Sequence, residues 1–470
     1  MKSYKPTIGI EVHAELKTNT KMFCNSKNNP HADTPNTHVC PICMAHPGTL
    51  PVINKKAVEH VIKVGLALGG EIASYTEFDR KNYFYPDIPK GYQISQYEYP
   101  IVKGGKLMGV DITRVHLEED TARSLHSEGE NSLVDYNRAG VPLMELVTEP
   151  VIHDAKTAAN FARELQLLLR TLGASDAHME KGEMRVEANI SVSDTETFGT
   201  KVEVKNLNSF KAVEGAIEYE IKRHIEIIES GGTIIQETRG WDDIKGKTFS
   251  QRVKESANDY RYFPEPDLPK ISLFTGDISI SRLHDNLPEL PDEKREKYSN
   301  LGLSRELVEV ILSDILLDRF FSELLTIFGD SVSEHAKIAS NYLVTDVLPL
   351  LMDRSISTAS TSGFAQLIIL VASNEITSRT AKDILEEVLF NALDPVLYID
   401  THGLRQKNSL DTVQSFAREV CAQNPGVVDE FRQGKEASLQ FLIGQAMKLS
   451  KGSANPKLLA EAIKSTINDV

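Results

Sequence analysis

Cysteine is scarce in this sequence, which has four in 470 residues: Cys24, Cys40, Cys43 and Cys421. So few cysteines in so long a chain do not make a disulfide framework, and we expect a reducing, cytoplasmic compartment. Apolar runs long enough to span a bilayer are also missing, so we expect no membrane association. The first residues lead straight into a strand-like stretch, without the charged and apolar regions of a signal peptide.

Two glycine signatures of nucleotide binding are absent as well. The sequence contains neither the Gly-x-x-x-x-Gly-Lys-Ser/Thr phosphate loop nor the Rossmann glycine fingerprint. If a nucleotide binds, a metal ion held by carboxylates must therefore anchor it. The formal net charge of −15 argues against indiscriminate binding to nucleic acid, but it allows a basic patch on one domain.

A polar row runs along the first strand-like stretch, residues 7–16. Side chains alternate faces along a strand, so one face of this stretch is apolar and suits a core. The other face carries residues about 7 Å apart from one to the next by strand rise, namely Gly9, Glu11, His13 and Glu15. This row is either an ordinary solvated face or a wall of ligands for a hard metal ion that carries phosphate.

Three of the four cysteines lie in one loop-like region: Cys24, Cys40 and Cys43. The Cys-x2-Cys spacing of the last two on a turn is half of a zinc knuckle. A complete site needs a fourth ligand, which Ser26 does not readily supply, and the remaining candidates are His38 and His46. The alternatives are a bound zinc ion and a loop of free thiols.

Lys81 lies within a segment of irregular pattern, residues 78–93. This segment mixes aromatics, prolines and basic groups without the period of a helix or strand, so we expect a loop held by ring packing. Lys81 is its functional candidate, because an amine there can meet a carboxylate or a phosphate. The alternative is a plain Ω-loop.

Carboxylates occur at the end or in the middle of two further predicted strands. The strand at 112–117 ends in Glu118, Glu119 and Asp120, which repel one another unless they are solvated or neutralised by a cation. The strand at 143–150 carries Glu145 inside an apolar run. We expect Glu145 to be buried, and a buried carboxylate needs a partner or a metal.

The order of these patterns divides the chain into three parts. Residues 1–290 alternate short strands with amphipathic helices, which predicts an α+β domain with a mainly antiparallel sheet. Prolines at 288 and 291 mark a boundary, after which residues 291–405 and a small tail, 406–470, follow helical patterns. The tail is locally basic at Arg432, Lys435, Lys448, Lys451 and Lys457. This surface is either an arm for RNA phosphate or a solvated face.

Taken together, several stretches resemble the B-subunit family of bacterial-type tRNA-dependent amidotransferases. The resemblance covers nearly the whole chain, and its runs are too many and too long for chance agreement. They are Gly9 to His13, Asp79 to Asp87, Gly91 to Gln96, Glu118 to Asp120, Asp135 to Pro142, Lys205 to Phe210, Gln236 to Arg239, Asp259 to Pro269 and Gly444 to Lys448.

The resemblance implies a cradle-like catalytic domain, a helical domain and a helical tail that contacts tRNA. It also implies a reaction in which ATP and Mg²⁺ serve to phosphorylate the side-chain carboxylate of Glu or Asp esterified to tRNA(Gln) or tRNA(Asn). Ammonia that a partner amidase (A) subunit releases from glutamine then displaces the phosphate, in a heterotrimer completed by a small C subunit.

The resemblance also implies roles for individual residues. The metal and phosphate site would consist of Glu11, His13, Glu119 and Glu145, and Lys81 would belong to the ammonia passage. A further wall of the cofactor-binding cradle would carry Arg185, Glu187 and Asn189. The family's zinc knuckle, where present, has four cysteines, whereas Ser26 stands here in place of the second.

Two other functions compete with this interpretation. One is a non-catalytic tRNA-binding scaffold whose acidic rows are only solvated surface; a buried Glu145 discriminates against it, because a scaffold has no reason to bury a carboxylate. The other is a free-standing glutamine-dependent ligase for a small acid. Neither a Ser/Lys amidase signature nor a Cys–His pair stands out, so the ammonia must come from elsewhere.

Overall fold

The structure of the chain, a computed structural model, describes residues 4–126, 131–253, 260–274, 277–351, 354–406, 410–450 and 454–468. The strands are β1 (Lys5–Glu15), β2 (Glu71–Ile72), β3 (Tyr75–Thr76), β4 (Asp79–Asn82), β5 (Tyr92–Ser95), β6 (Val102–Lys103), β7 (Lys106–Leu107), β8 (Val110–Glu119), β9 (Arg123–His126), β10 (Ser132–Asp135), β11 (Pro142–Thr148), β12 (Met184–Ser193), β13 (Val202–Leu207), β14 (Glu237–Asp242), β15 (Lys247–Val253), β16 (Phe263–Pro264) and β17 (Ile271–Ser272).

The first helices belong to the same part of the chain: α1 (Lys55–Ala67), α2 (Ala155–Thr171), α3 (Phe210–Glu229) and α4 (Ile280–Asp285). The later ones are α5 (Pro291–Asn300), α6 (Arg305–Ser313), α7 (Ile315–Phe328), α8 (Val332–Tyr342), α9 (Thr361–Ala372), α10 (Ser378–Phe390), α11 (Pro395–His402), α12 (Leu410–Gln423), α13 (Pro425–Arg432), α14 (Ala437–Leu449) and α15 (Pro456–Asn468). Among the described residues, no helix has both the length and the apolar character that a membrane crossing needs.

A ten-stranded sheet organises the first part of the chain, in the order β15-β14-β13-β12-β1-β11-β8-β6-β2, with β7 also paired to β8. Its pairs are antiparallel except β13 with β14, which are parallel and joined through α3. A parallel pair needs such a crossover. The mainly antiparallel α+β architecture followed by helices is therefore confirmed.

The first strand lies in the interior of this sheet because its alternation gives it one fully apolar face. Ile8, Ile10, Val12 and Ala14 are at most 1% exposed and share a core with Phe161 of α2 and other side chains of α1 and α3. The predicted apolar face is confirmed. The helices cover this side of the sheet, so the polar row of β1 is on the opposite side.

The helical period predicts helices at 155–172 and 210–229, and α2 and α3 confirm both. Ser209 caps α3, because its hydroxyl accepts a hydrogen bond from the backbone N–H of Ala212 at 3.0 Å. The loop expected at 78–93 was wrong in part: it contains the hairpin β4–β5. Strands of only four residues are too short to show a period.

The helices from residue 291 onward follow the predicted pattern with three differences. A single helix is predicted over 333–352, but α8 ends at Tyr342 and a π-helical turn and a 3₁₀ turn follow it. Pro349 lies in the second of these turns and is incompatible with a continuing helix; Met352 lies outside the described residues. The ten-residue helix α5 and the eight-residue helix α11 were both missed.

Tertiary contacts divide the chain after Pro291. In the second unit, α12, α13, α14 and α15 share a core of their own, which includes Val420, Leu442 and Ile463. The finer division into residues 1–290, 291–405 and 406–470 stays a prediction, as does the role of the basic tail, of which Lys451 lies outside the described residues.

Candidate functional site

A row of polar residues crosses four neighbouring strands on the side of the sheet that the helices leave uncovered. The register places Arg185 of β12 opposite His13 of β1, His13 opposite Glu145 of β11, and Glu145 opposite His116 of β8. Because directly opposed residues point to the same face, these four side chains are neighbours. The sheet register thus assembles them from segments far apart in the sequence.

Carboxylates surround the imidazole of His13. Its Nε2 atom lies 3.3 Å from Glu145, 3.7 Å from Glu11 and 3.7 Å from Glu118. Glu187 stands opposite Glu11 in the register and offers a further carboxylate to the same group. We call this set the carboxylate–imidazole cluster: Glu11, His13, His116, Glu118, Glu145 and Glu187.

The cluster is strongly charged although it is mostly buried. Burial raises the pKa of Glu11 to about 7, and the charges of Glu145 and Glu187 add to the rise. Burial alone lowers the pKa of His13, but its hydrogen bond to Glu145 and the surrounding carboxylates raise it to about 9 overall. His13 is therefore a cation at neutral pH.

Glu145 itself is only 6% exposed, which confirms the burial expected from its apolar run. Burial alone would raise its pKa, but the imidazoles of His116 and His13 hold the pKa well below its usual value. The His116 Nε2 atom lies 3.4 Å from the carboxylate. Glu145 is thus an ionised carboxylate held between two histidines, as a buried acid requires.

The cluster has the chemistry of a site for a hard divalent cation. Two groups of three converge closely enough to share an ion: Glu11 with His13 and Glu187, and His13 with Glu118 and Glu145. Carboxylate oxygens are the ligands that Mg²⁺ prefers. The Nδ1 atoms of His13 and His116 are buried without a hydrogen-bond partner among the described residues, which marks the site as incompletely satisfied.

The β4–β5 hairpin brings a second cation to this site. Lys81 lies on β4, and its ammonium is 5.2 Å from the centre of the Tyr260 ring. Burial alone would lower its pKa, but the charges of Glu118 and Glu145 raise it overall, so Lys81 stays protonated. The hairpin also contacts the cluster directly, because the Ser95 hydroxyl donates to Glu118 at 3.0 Å.

Glu119 is not part of the carboxylate–imidazole cluster. Its side chain accepts a hydrogen bond from the backbone N–H of Ile94 at 3.0 Å and forms an ion pair with Lys90 at 2.6 Å. It follows Val115 and Leu117 on β8, so alternation turns it to the opposite face from Glu118. Of the four residues predicted as metal and phosphate site, the structure brings together Glu11, His13 and Glu145.

The three residues predicted on β12 are spread along the same face. Arg185 makes two hydrogen bonds to Asp120, at 2.9 and 3.1 Å, and Glu187 pairs with Lys205 at 2.6 Å. Asn189 stands opposite Gly9, and its Oδ1 atom is buried without a partner among the described residues. Arg185 is thus already neutralised, whereas Asn189 has a free acceptor.

The three cysteines of the predicted knuckle come together, with sulfur atoms within 4.8 Å of one another. Neither His38 nor His46 joins this group. The fully buried Lys21 donates to the Cys43 sulfur at 3.8 Å, and the Ser26 hydroxyl is also 3.8 Å from that sulfur. A hydrogen bond with Cys24 lowers the pKa of Cys43 to about 4. These residues do not supply the four-thiolate set of a structural zinc site.

Sequence reasoning assigned no site role to three polar members of this face: His116, Glu118 and Lys205. Alternation was the available signal for two of them, because Arg114, His116 and Glu118 are spaced by two along β8. Lys205 is found only through the register between β12 and β13, which local sequence does not encode. The functional roles of all predicted site residues stay predictions.

The fold and the cluster together define the class of this protein: an α+β chain with a mostly buried carboxylate–imidazole cluster on a mainly antiparallel sheet. Comparison with known families is consistent with this class. Residues 6–278 match the GatB/GatE catalytic domain, and residues 321–467 match the GatB domain.

Relatives of similar length carry a common name, the B subunit of aspartyl/glutamyl-tRNA(Asn/Gln) amidotransferase. The one from Caldicellulosiruptor saccharolyticus is 42% identical over 99% of this chain and 100% of its own length. Those from Thermodesulfovibrio yellowstonii and Clostridium beijerinckii are 43% and 42% identical, over 98% and 100% of this chain and the same shares of their own lengths. The chain belongs to the family of amidotransferase B subunits.

Proposed function

We propose that this chain is the ATP-dependent subunit of a cytoplasmic tRNA-dependent amidotransferase. In this proposal it phosphorylates the side-chain carboxylate of misacylated Glu-tRNA(Gln) or Asp-tRNA(Asn) and amidates it. The names of its relatives support the tRNA substrates, and the convergence of Glu11, Glu118, Glu145 and Glu187 around His13 is the observation that carries the chemistry. The partners would be an amidase (A) subunit, which supplies ammonia, and a small C subunit.

Carboxylates are poor acyl donors, because oxide is a very poor leaving group. Transfer of the γ-phosphoryl group of ATP to the carboxylate creates a leaving group, and attack by ammonia then forms the amide and releases phosphate. Phosphoryl transfer depends mainly on positioning and on neutralisation of charge. Mg²⁺, when bound, supplies that neutralisation at the phosphate oxygens.

The charge of each residue in the cluster determines the role that we propose for it in phosphoryl transfer. The carboxylates of Glu11, Glu118, Glu145 and Glu187 would hold the cation. The protonated imidazole of His13 donates a hydrogen bond, so it suits a phosphate oxygen better than a metal ion. Lys81 adds a fixed positive charge beside Glu118 and Glu145, at the side where we expect ammonia to enter. A protected entry keeps ammonia unprotonated and reactive.

A non-catalytic scaffold is the competing proposal. It requires that the acidic rows be solvated surface, yet Glu118 is 2% and Glu145 is 6% exposed. Burying several carboxylates around one imidazole costs folding free energy, and a scaffold that needs only a solvated surface has no reason to incur that cost. The burial of the cluster therefore favours the catalytic proposal.

The experiment compares two adjacent glutamates in the complex with the partner subunits. We expect Glu118→Gln to lower Mg²⁺-dependent, misacylated-tRNA-dependent ATP turnover about 100-fold or more, with glutamine hydrolysis by the partner largely retained. Glu119→Gln is the matched control, and we expect it to keep turnover within about 10-fold, because its carboxylate belongs to a structural contact.

The opposite pattern, with Glu119→Gln inactive and Glu118→Gln active, would show that the catalytic site is not on the face of the sheet that carries the carboxylate–imidazole cluster. A wild-type complex that binds misacylated tRNA but turns over no ATP would favour the scaffold.

A further inference from the structure

Two tyrosines from distant parts of the chain form a stacked pair beside the cluster. The rings of Tyr97 and Tyr262 are 4.4 Å apart between centroids and inclined by 13°. Tyr97 is nonetheless 51% exposed, so one ring of the pair is half open to solvent. We call these two residues the tyrosine pair.

Contacts connect the tyrosine pair to the carboxylate–imidazole cluster. The ring of Tyr262 lies 6.1 Å from that of Tyr260, over which the ammonium of Lys81 is placed at 5.2 Å. The charges of Glu118 and Glu145 act on both Lys81 and Tyr262. The exposed ring of Tyr97 is therefore connected to the proposed phosphoryl-transfer site through Tyr262, Tyr260 and Lys81.

The segment that carries Tyr262 is held firmly against the hairpin. The Asn82 side-chain amide donates to the carbonyl oxygens of Tyr260 and Arg261, at 3.2 and 2.8 Å. Strand β16 pairs with β4, and Arg80 of β4 makes an ion pair with Glu265 at 2.7 Å. The tyrosine pair is thus preorganised, which lowers the entropy cost of binding a flat ligand.

Charges of both signs surround the pair: Lys81 lies near Tyr262, and Asp79 accepts a hydrogen bond from the backbone N–H of Tyr97 at 2.9 Å. Arg261 is exposed next to Tyr262 in the sequence, and the ring of Tyr260 packs edge-on against that of Tyr262. Exposed rings with nearby cations are the features by which proteins bind unpaired nucleotides, since each base has a face that stacks and each phosphate is negative.

We propose that Tyr97, supported by Tyr262, stacks on the 3′-terminal adenine of the aminoacyl-tRNA. This inference rests on the proposed function, because the amino acid is esterified to the ribose of that nucleotide. An adenine on Tyr97 would leave the attached side-chain carboxylate to extend past Lys81 to the cluster. The pair would hold the end of the tRNA without reading the anticodon or the acceptor sequence.

The test uses deacylated tRNA, so that it does not depend on catalysis. Dissociation constants are measured for the complex with its partner subunits, using the same tRNA ending in CCA or shortened by the terminal adenosine. We expect the wild type to bind the CCA form about 10-fold more tightly, in keeping with one base–aromatic stack. Tyr97→Leu should bind both forms equally, and Tyr97→Phe, which keeps the ring, should discriminate like the wild type.

Tyr99→Leu is the matched control, because Tyr99 is 44% exposed and packs edge-on against Tyr75 instead of joining the tyrosine pair. It should keep the discrimination. If Tyr97→Leu also keeps it, or weakens binding of both forms to the same degree, the inference is overturned. Loss of the partner subunits from Tyr97→Leu, with discrimination retained, would show a protein-binding surface and overturn it as well.

The two proposals fail in distinguishable ways. If the wild type discriminates between the two tRNAs but shows no ATP turnover, the stacking inference stands and the proposed function falls. If the wild type turns over ATP but binds the two tRNAs equally well, the proposed function stands and the stacking inference is overturned.

Discussion

Two buried acidic clusters of the first unit differ in how their charge is balanced. Glu220 of α3 is fully buried and accepts hydrogen bonds from Arg223 and Thr248, while Arg239 lies 3.2 Å away. One carboxylate thus meets two guanidinium groups. In the carboxylate–imidazole cluster, four carboxylates gather around His13.

The difference separates a structural role from a chemical one. Burial alone would raise the pKa of Glu220, but the neighbouring His224 and the hydrogen bonds from Arg223 and Thr248 lower it to about 2, so this carboxylate is already satisfied. Glu11 has the opposite tendency, since burial and like charges raise its pKa to about 7. The first cluster carries its own counterions, and the second is suited to receive one.

The largest effect expected from this comparison is on activity. Glu145→Gln removes a charge from the cluster with little change in shape, and we expect tRNA-dependent amidation to fall about 1000-fold. The free energy of unfolding should change by less than it does in Glu220→Gln, the variant of the other cluster that is described next. Single-turnover amidation assays and urea unfolding check both statements; amidation within a few-fold of the wild type would remove Glu145 from the proposed site.

The second-largest expected effect is a loss of stability when the buried cluster around Glu220 is changed. Glu220→Gln leaves Arg223 without its carboxylate partner, while Arg239 keeps its ion pair with Glu237, and we expect the free energy of unfolding to fall by about 3 kcal/mol. The activity of the folded complex at low temperature should stay near that of the wild type. An unchanged urea midpoint, or activity lost in a stably folded variant, would contradict the structural assignment.

A smaller effect concerns acid stability. The pKa of Glu220 is about 2 in the folded protein against an ordinary value of 4.5, so its stabilisation is complete above pH 4.5 and disappears as the pH falls towards 2. Between pH 6 and pH 3, wild type should therefore lose more stability than Glu220→Gln. The measurement is the difference between the two urea midpoints at each pH, and a difference independent of pH would contradict it.

The smallest effect concerns the three cysteines, a third buried cluster in which the Lys21 ammonium faces the Cys43 sulfur. Because the four-thiolate set is incomplete, we expect a zinc chelator to change the melting temperature by less than about 1 °C, where loss of a structural zinc would be strongly destabilising. Metal analysis of the purified chain checks this directly, and one equivalent of tightly held zinc would contradict it.

Much of the fold was predictable because its signals are local. The alternation along β1 correctly predicted its buried face, and the helical period correctly predicted α2 and α3. The hairpin β4–β5 and the helix α11 were missed because four and eight residues carry too little periodicity. The helix α5 was missed because its residues are almost all polar and show no apolar face.

Only those features of the site that depend on the pattern within a single strand could be predicted. Glu145 was expected to be buried from its apolar neighbours, and it is. The family resemblance pointed to Glu119, whereas alternation along β8 places Glu118 beside His13. That Arg185 lies opposite His13 depends on the register of strands about 170 residues apart, which no local pattern encodes.

The pairing of β16 with β4 has a consequence for how the protein is made. Residues 79–82 leave the ribosome early, but their third strand comes from residues 263–264. Because domains begin to fold during synthesis, the sheet neighbours of β1 are available well before the segment that bears Tyr262. The contacts of Tyr262 with Tyr97 and Tyr260 can therefore form only after translation has passed residues 263–264.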